Sequence, residues 1–262
     1  MPGVHVIVPD WPDMPAGVRA IATTRPGGVS PAPYDDGAGG GGLNLGDHVG
    51  DDAALVGLNR ARLRQSLPCE PAWMSQVHGV AVVDAAGVQP GQPVPVGDAS
   101  IAKVPGVVCA IMTADCLPVL FASRDGKVVG AAHAGWRGLA AGVLGDTVAA
   151  MRAAGAGEIT AWLGPAIGPA RFEVGRDVVD CFIAEADGAD EESQSAQCFT
   201  PCPGRPGKYL ADIYWLARIA LARDNVTDVS GGTYCTASEP GRFYSYRRDQ
   251  VTGRQASLIW IE

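Results

Sequence analysis

Val107-Val108-Cys109-Ala110-Ile111-Met112-Thr113-Ala114-Asp115-Cys116-Leu117-Pro118-Val119-Leu120-Phe121-Ala122-Ser123 runs on through Arg124-Asp125-Gly126-Lys127 into Val128-Val129-Gly130-Ala131-Ala132-His133-Ala134-Gly135-Trp136-Arg137-Gly138. Val107–Thr113 is a wholly apolar run of strand length, the pattern of a strand covered on both faces. Val119–Ser123 and Val128–Ala132 flank Arg124-Asp125-Gly126 and predict a hairpin. After His133 the pattern changes period, with Leu139, Val143, Val148 and Met151 along one side of a long helix to about Ala154. A buried strand, a hairpin and a covering helix in sequence predict layered α/β architecture.

The flanking segments extend that reading. Val4–Val8, Val18–Thr24, Trp73–Gly79, Ile159–Leu163 and Gln255–Ile261 predict strands. Asp51 and Asp52 supply an N-cap and favourable charge to a helix carrying Leu55, Leu58, Leu63 and Leu67. Asp177–Ala186 and Leu210–Ala222 predict two more helices. Pro31–Gly42 is a loop with four consecutive glycines, and residues 187–207, acidic then rich in Pro and Gly, predict an exposed insertion. Strands and helices alternate without a regular βαβ period, so residues 1–262 are expected to form a single α/β (α+β) domain of mixed sheets.

Composition narrows the function. The 262 residues include 20 Lys and Arg against 28 Asp and Glu, a net charge of −8. No basic surplus is left to neutralise phosphates, so nucleic acid is not expected as a partner. No stretch approaches 18 apolar residues, the terminus lacks a signal-like pattern, and no membrane association is expected; the default location is cytoplasmic. The seven cysteines are odd in number and dispersed, which suits reduced thiols rather than a disulfide framework. Cys198 and Cys202 have no second pair to complete a zinc knuckle and read as loop thiols. Only four histidines are present, His5, His48, His78 and His133.

Three apolar segments end in small-residue turns that bear a metal-capable side chain: His78, Cys116 and His133. Two imidazoles and a thiolate form a donor set that zinc accepts, and three protein ligands leave one position open for catalysis. The spacings are long, so the alternative is that the histidines are satisfied polar groups at strand ends and Cys116 a small buried hydrophobe. Cys116 beside a histidine also suits a nucleophile pair. Arg137 falls in the first turn of a helix, where the dipole disfavours a cation unless both bind one anion; the alternative is a guanidinium stacked on Trp136.

The segments Thr23–Ser30, Leu43-Asn44-Leu45-Gly46, Gln76-Val77-His78-Gly79, Thr113–Val119, His133–Gly138, Gly164–Gly168 and Tyr244–Asp249 resemble the YfiH family. They run in order from residue 18 to the C-terminus, and the pair Thr-Ala-Asp-Cys and His-Ala-Gly-Trp-Arg-Gly is highly specific. That family has been called multicopper polyphenol oxidase, peptidoglycan editing factor and purine nucleoside phosphorylase. The resemblance implies a layered α/β/β/α fold and zinc ligands at His78, Cys116 and His133. The stretch 187–207 does not align with the family, which bears only on the rim of a pocket.

The resemblance also implies purine nucleoside chemistry, with a nucleoside and phosphate as small-molecule substrates: phosphorolysis of adenosine, inosine, guanosine or methylthioadenosine, and deamination of adenosine. Zinc would lower the pKa of a bound water to about 7, and Asp115 is the candidate acid/base that deamination needs. For phosphorolysis Arg137, Arg25 and Arg247 are candidate phosphate clamps, with Asn44 and Gln76 as hydrogen-bonding groups for ribose or base. Arg25, Asn44 and Gln76 have an alternative reading as turn or strand-end residues that satisfy local backbone. Hydrolysis of a wrongly built cell-wall precursor, by zinc hydroxide or a Cys116–His133 pair, is a second expectation. Copper at the same site, with laccase-like phenol oxidation, is a third. Four histidines cannot supply both an electron-entry site and a separate trinuclear copper cluster.

Overall fold

The computed structural model describes residues 4–262. Its strands are β1 (Val6–Ile7), β2 (Val18–Thr23), β3 (Pro26–Ser30), β4 (Val82–Asp84), β5 (Ala99–Ala102), β6 (Val108–Thr113), β7 (Leu117–Ser123), β8 (Val129–Ala134), β9 (Ile159–Leu163), β10 (Glu173–Gly175), β11 (Phe199–Pro201), β12 (Lys208–Ala211), β13 (Val229–Gly231) and β14 (Gln255–Ile261). Its helices are α1 (Ala53–Arg64), α2 (Trp136–Ala140), α3 (Val143–Ala153), α4 (Arg176–Ala184), α5 (Ala189–Gln197), α6 (Ile213–Arg223) and α7 (Tyr246–Asp249).

Two sheets dominate: a four-stranded one in the order β1-β2-β14-β6 and a six-stranded one in the order β13-β9-β7-β8-β5-β4. The pleat sends alternate side chains to opposite faces, and that parity builds four layers. In β6 and β14, Val108, Ala110, Ala256 and Leu258 pack with Leu63 of α1. Their neighbours Cys109, Ile111 and Ile259 face Leu120, Val129 and Ala131 of the second sheet. The outer face of that sheet, with Val119, Phe121 and Ala132, meets Val148 and Met151 of α3 and Leu216 of α6. The order is therefore helix, sheet, sheet, helices, the α/β/β/α arrangement expected. The third sheet, β10-β12-β11, is small.

The hairpin β7–β8 forms as expected, with Leu117 opposite Ala134 and Pro118 opposite His133. Its turn places Gly126 at φ 71°, a left-handed conformation that glycine adopts freely. Other local readings are corrected. The long helix expected after the His133 motif, to about Ala154, is two helices, because Gly142 at φ 96° ends α2 in a left-handed turn. Trp73–Gly79 forms no named strand: Ser75 makes an isolated bridge to Val96, the neighbouring Ala72 makes one to Cys109, and the chain bends at residues 78–79. The buried stripe of α1 is Val56, Asn59 and Leu63, while Leu58 is exposed. Strand β3 was not expected from the sequence. Residues 187–207 contain α5 and β11; Ser195, Cys198 and Phe199 are buried there and most of the rest are exposed.

Candidate active site

The hairpin ends and the β6 end meet on one side of the two-sheet sandwich, where Thr113 pairs with Gln255 and Pro118 with His133. His133 shares the strand face of Val129 and Ala131, so it closes the layer between the sheets. Cys116 stands in the turn between β6 and β7, just after Asp115, whose φ is 95°. His78 reaches the same point from the bend that ends the 73–79 segment, with φ 62°. The ligand atoms of His78, Cys116 and His133 lie within 4.8 Å of one another. The Cys116 Sγ to His78 Nε2 distance is 3.6 Å, and the imidazole rings are 4.7 Å apart edge to face.

These residues fit a tetrahedral metal ion. Zinc bonds of about 2.0–2.3 Å place neighbouring ligand atoms about 3.3–3.8 Å apart, close to the Sγ–Nε2 separation. Gly135 makes room for the cluster: a Cβ there would lie 2.7 Å from His78 Cδ2 and 3.1 Å from Cys116 Sγ. Burial opposes ionisation of the Cys116 thiol, but His133 and His78 outweigh it and hold its pKa well below the ordinary value. Burial likewise opposes protonation of His133, and the Cys116 thiolate and Asp98 outweigh that and raise it.

Asp98, which sequence reasoning missed, is buried beneath both histidines. Its Oδ1 lies 2.8 Å from His133 Nδ1 and accepts from the His78 N–H at 2.9 Å. Oδ2 accepts from Val77 N–H at 3.1 Å and Gly79 N–H at 2.7 Å. Burial would raise the Asp98 carboxyl, but these bonds hold its pKa below the ordinary value. A single Asp between Gly97 and Ala99 carries no local signal of this role.

Two cavities open beside the cluster. His78, Ala114, Cys116 and Tyr246 line both. The first, of about 280 Å³, adds His48, Gln76, Met112, Thr113, His133 and Arg254. The second, of about 260 Å³, adds Trp136, Arg137, Phe172, Ile213 and Arg247 among others. Thr113 Oγ1 is buried without a hydrogen-bond partner. Tyr246, Arg254 and Thr113 all stand in or near the motif segments, but nothing in their spacing marked them as cavity walls.

The other expected site residues divide sharply. Arg137 reaches the second cavity and stacks 4.4 Å over Trp136. Arg247 lines it too, donating to the Glu173 carbonyl at 2.9 Å. Gln76 lines the first cavity and holds the backbone of Met112 through both ends of its amide, at 2.8 and 2.9 Å. Arg25 and Asn44 are corrected, because neither lines either cavity. The Arg25 guanidinium is bound to the Asp35 carbonyl and carboxylate and to the Pro240 carbonyl. Asn44 is wholly buried and uses its amide on Gly46 O and Asp51 Oδ2, and its oxygen on Gly46 N and Arg254 N. Asp115 borders the second cavity, but its carboxylate accepts from Thr236 Oγ1 at 2.6 Å, Ser245 Oγ at 3.0 Å and Arg247 N–H at 2.7 Å. Three donors thus engage the carboxylate and tie the turn that carries Cys116 to Thr236, Ser245 and Arg247.

A family profile described as multi-copper polyphenol oxidoreductase laccase matches residues 19–262. A protein of Pseudomonas aeruginosa named purine nucleoside phosphorylase is 54% identical over 256 residues, covering 98% of each chain. Purine nucleoside phosphorylase YfiH of Escherichia coli is 49% identical, again over 98% of each chain. The crystal structure of a Neisseria meningitidis protein of family DUF152 superposes with a TM-score of 0.87 at 46% identity, covering 98% of this chain and 99% of that one.

Proposed function

This chain belongs to the YfiH family, and from that premise and the geometry of its cleft we propose that it is a purine nucleoside phosphorylase whose His78, Cys116 and His133 hold a zinc ion. The observation that carries the reading is one metal-capable cluster set between two cavities, with the Arg137 guanidinium in the wall of one of them. Two adjoining cavities that share His78 and Cys116 offer room for a nucleoside and a phosphate side by side. A bound zinc ion would supply Lewis-acid stabilisation of charge at the junction.

The chain's own residues supply the rest. Arg137 and Arg247 hold phosphate in the second cavity by charge-assisted hydrogen bonds. Gln76 retains one amide N–H and one oxygen lone pair beyond its bonds to Met112, which suits it to ribose or base in the first cavity. A phosphate oxygen attacks the ribose anomeric carbon as the bond to the purine nitrogen breaks. The purine leaves with the electron pair and takes a proton, and ribose 1-phosphate remains.

Deamination of adenosine has less support. Asp115 contributes the one carboxylate in the two cavity walls, and three donors already engage it. The profile's description names several coppers, but the chain has four histidines, of which His5 is exposed near the N-terminal end and His48 stands on the rim of the first cavity. Copper at the single site remains chemically compatible with its His2Cys donors.

The purified protein is tested with adenosine in the presence and absence of phosphate. Adenine and ribose 1-phosphate formed only with phosphate support the reading. Inosine formed without phosphate would establish deamination instead. Neither product, together with cleavage of a muramyl-serine nucleotide, would overturn the purine assignment.

A further inference from the structure

We propose that Asp98 is the positioning residue of the metal centre: one buried carboxylate sets the tautomer of His133 and the turn that aims His78. The inference rests on the reading of His78, Cys116 and His133 as metal ligands. It starts from a valence count. A carboxylate offers about four acceptor positions, and Asp98 fills four. Oδ1 receives His133 Nδ1 and the His78 amide, and Oδ2 receives the Val77 and Gly79 amides. The side chain is wholly buried, so no water competes for these positions.

Two consequences follow for the ligands. With Nδ1–H donated to Asp98, His133 presents Nε2 to the metal, and the carboxylate makes that imidazole a stronger donor. The backbone of Asp98 adds to the constraint, since its carbonyl accepts the His133 N–H at 2.6 Å. For His78, the left-handed φ of 62° is uncommon in a residue with a side chain. That conformation turns three successive N–H groups toward one anion, forming a nest. Asp98 thus stabilises the backbone conformation that brings the His78 ring to the cluster. The two histidines lie 55 residues apart in the chain, and one side chain fixes both.

An asparagine cannot do the same. Its oxygen accepts two bonds and its NH2 group would face N–H donors, so either the nest or the bond to the imidazole is lost. Asp98→Asn is therefore expected to weaken zinc binding about 10–100-fold. The measurement is chelator competition with Zn2+ on the wild-type chain and the variant, with circular dichroism to establish that both are folded. Co2+ substitution adds a spectroscopic signature, because displaced ligands change the ligand-field bands, which a loss of stability alone does not. The wild-type chain gives a second test that needs no variant: histidine nitrogen NMR of the zinc-loaded protein is expected to show His133 protonated at Nδ1.

Zinc affinity within about twofold of wild type together with unchanged Co2+ bands would overturn the role of Asp98 while leaving the metal site intact. His133 coordinated through Nδ1 would overturn it as well, even if Asp98→Asn does not fold. A wild-type chain that binds neither Zn2+ nor Co2+ would overturn the metal reading and this inference with it.

Discussion

Arg25 and Arg137 both stand in motif segments, and the fold puts them in opposite conditions. Arg25 is 7% exposed and every arm of its guanidinium is occupied, by Asp35, by the Pro240 carbonyl and by the ring of Tyr244 at 5.3 Å. Arg137 is exposed, stacked on Trp136, in the wall of a cavity. The same contrast separates two whole regions. Beneath β3 and α1, Asn44, Asp51, Ser30 and Asn59 bond one another and the local backbone in a closed knot. At the hairpin ends, His78, Cys116 and Arg137 keep donor or acceptor capacity directed at open space. A polar residue in a motif serves a ligand only if the fold leaves one of its hydrogen-bonding positions free.

The largest expected effect lies at the open end of that comparison. Cys116→Ala removes the thiolate and should lower kcat/KM at least about 10³-fold, since a catalytic metal supplies several kcal/mol. Metal analysis separates the roles of the sulfur. Loss of zinc and activity together marks Cys116 as a ligand, whereas lost activity with full zinc marks it as a nucleophile. Next comes Gly135→Ala. Its Cβ would press on His78 and Cys116 at 2.7 and 3.1 Å, and overpacking of this kind costs about 1–3 kcal/mol. Zinc affinity is expected to fall by one to two powers of ten and the thermal midpoint by about 2–12 °C. Unchanged affinity would show that the cluster has slack.

The closed end should respond in the opposite way. Asn44→Ala leaves the Gly46 and Arg254 amides without their acceptor and removes one donor from Asp51, which keeps Ser30, and buried unpaired groups cost about 1–3 kcal/mol each. A total of about 2–4 kcal/mol corresponds to a drop in Tm of about 4–16 °C at this chain length. The surviving folded fraction should retain its KM for nucleoside. A raised KM with unchanged Tm would return Asn44 to the substrate-binding residues.

The sequence made the layers legible because burial on both faces leaves an unmistakable mark. Val108–Thr113 and Leu117–Ser123 contain no exposed residue, and a strand with no polar face must lie inside. The three metal-capable positions that the fold brings together were legible because each stands at the end of a strand or of a partly apolar segment, beside a small-residue turn. Asp98 was not legible, since its four partners come from residues 77–79 and 133, which only the fold brings together. The break at Gly142 was hidden for the converse reason: the apolar period of α2 continues into α3, and glycine is tolerated inside helices at about 1 kcal/mol. Trp73–Gly79 looked like a strand because of its apolar Trp73, Met74 and Val77. Its ladder is replaced by the Gln76 amide, which takes both backbone groups of Met112.

Arg137→Ala gives the smallest expected effect and the finest test of the contrast with Arg25. The guanidinium makes a stacking contact on Trp136, and no hydrogen bond from it to protein is found among the described residues, so its removal should leave stability within about 0.5 kcal/mol. If it holds phosphate by a charge-assisted hydrogen bond worth about 1.5–3 kcal/mol, KM for phosphate should rise about 10–100-fold. The KM for nucleoside should stay near wild type, because the nucleoside is assigned to the other cavity. Arg137→Lys keeps the charge but loses the planar fork and should recover only part of the affinity. Equal losses for both substrates would mean that Arg137 acts through Trp136 as a packing residue, and the distinction between an occupied and a free arginine would fail at this position.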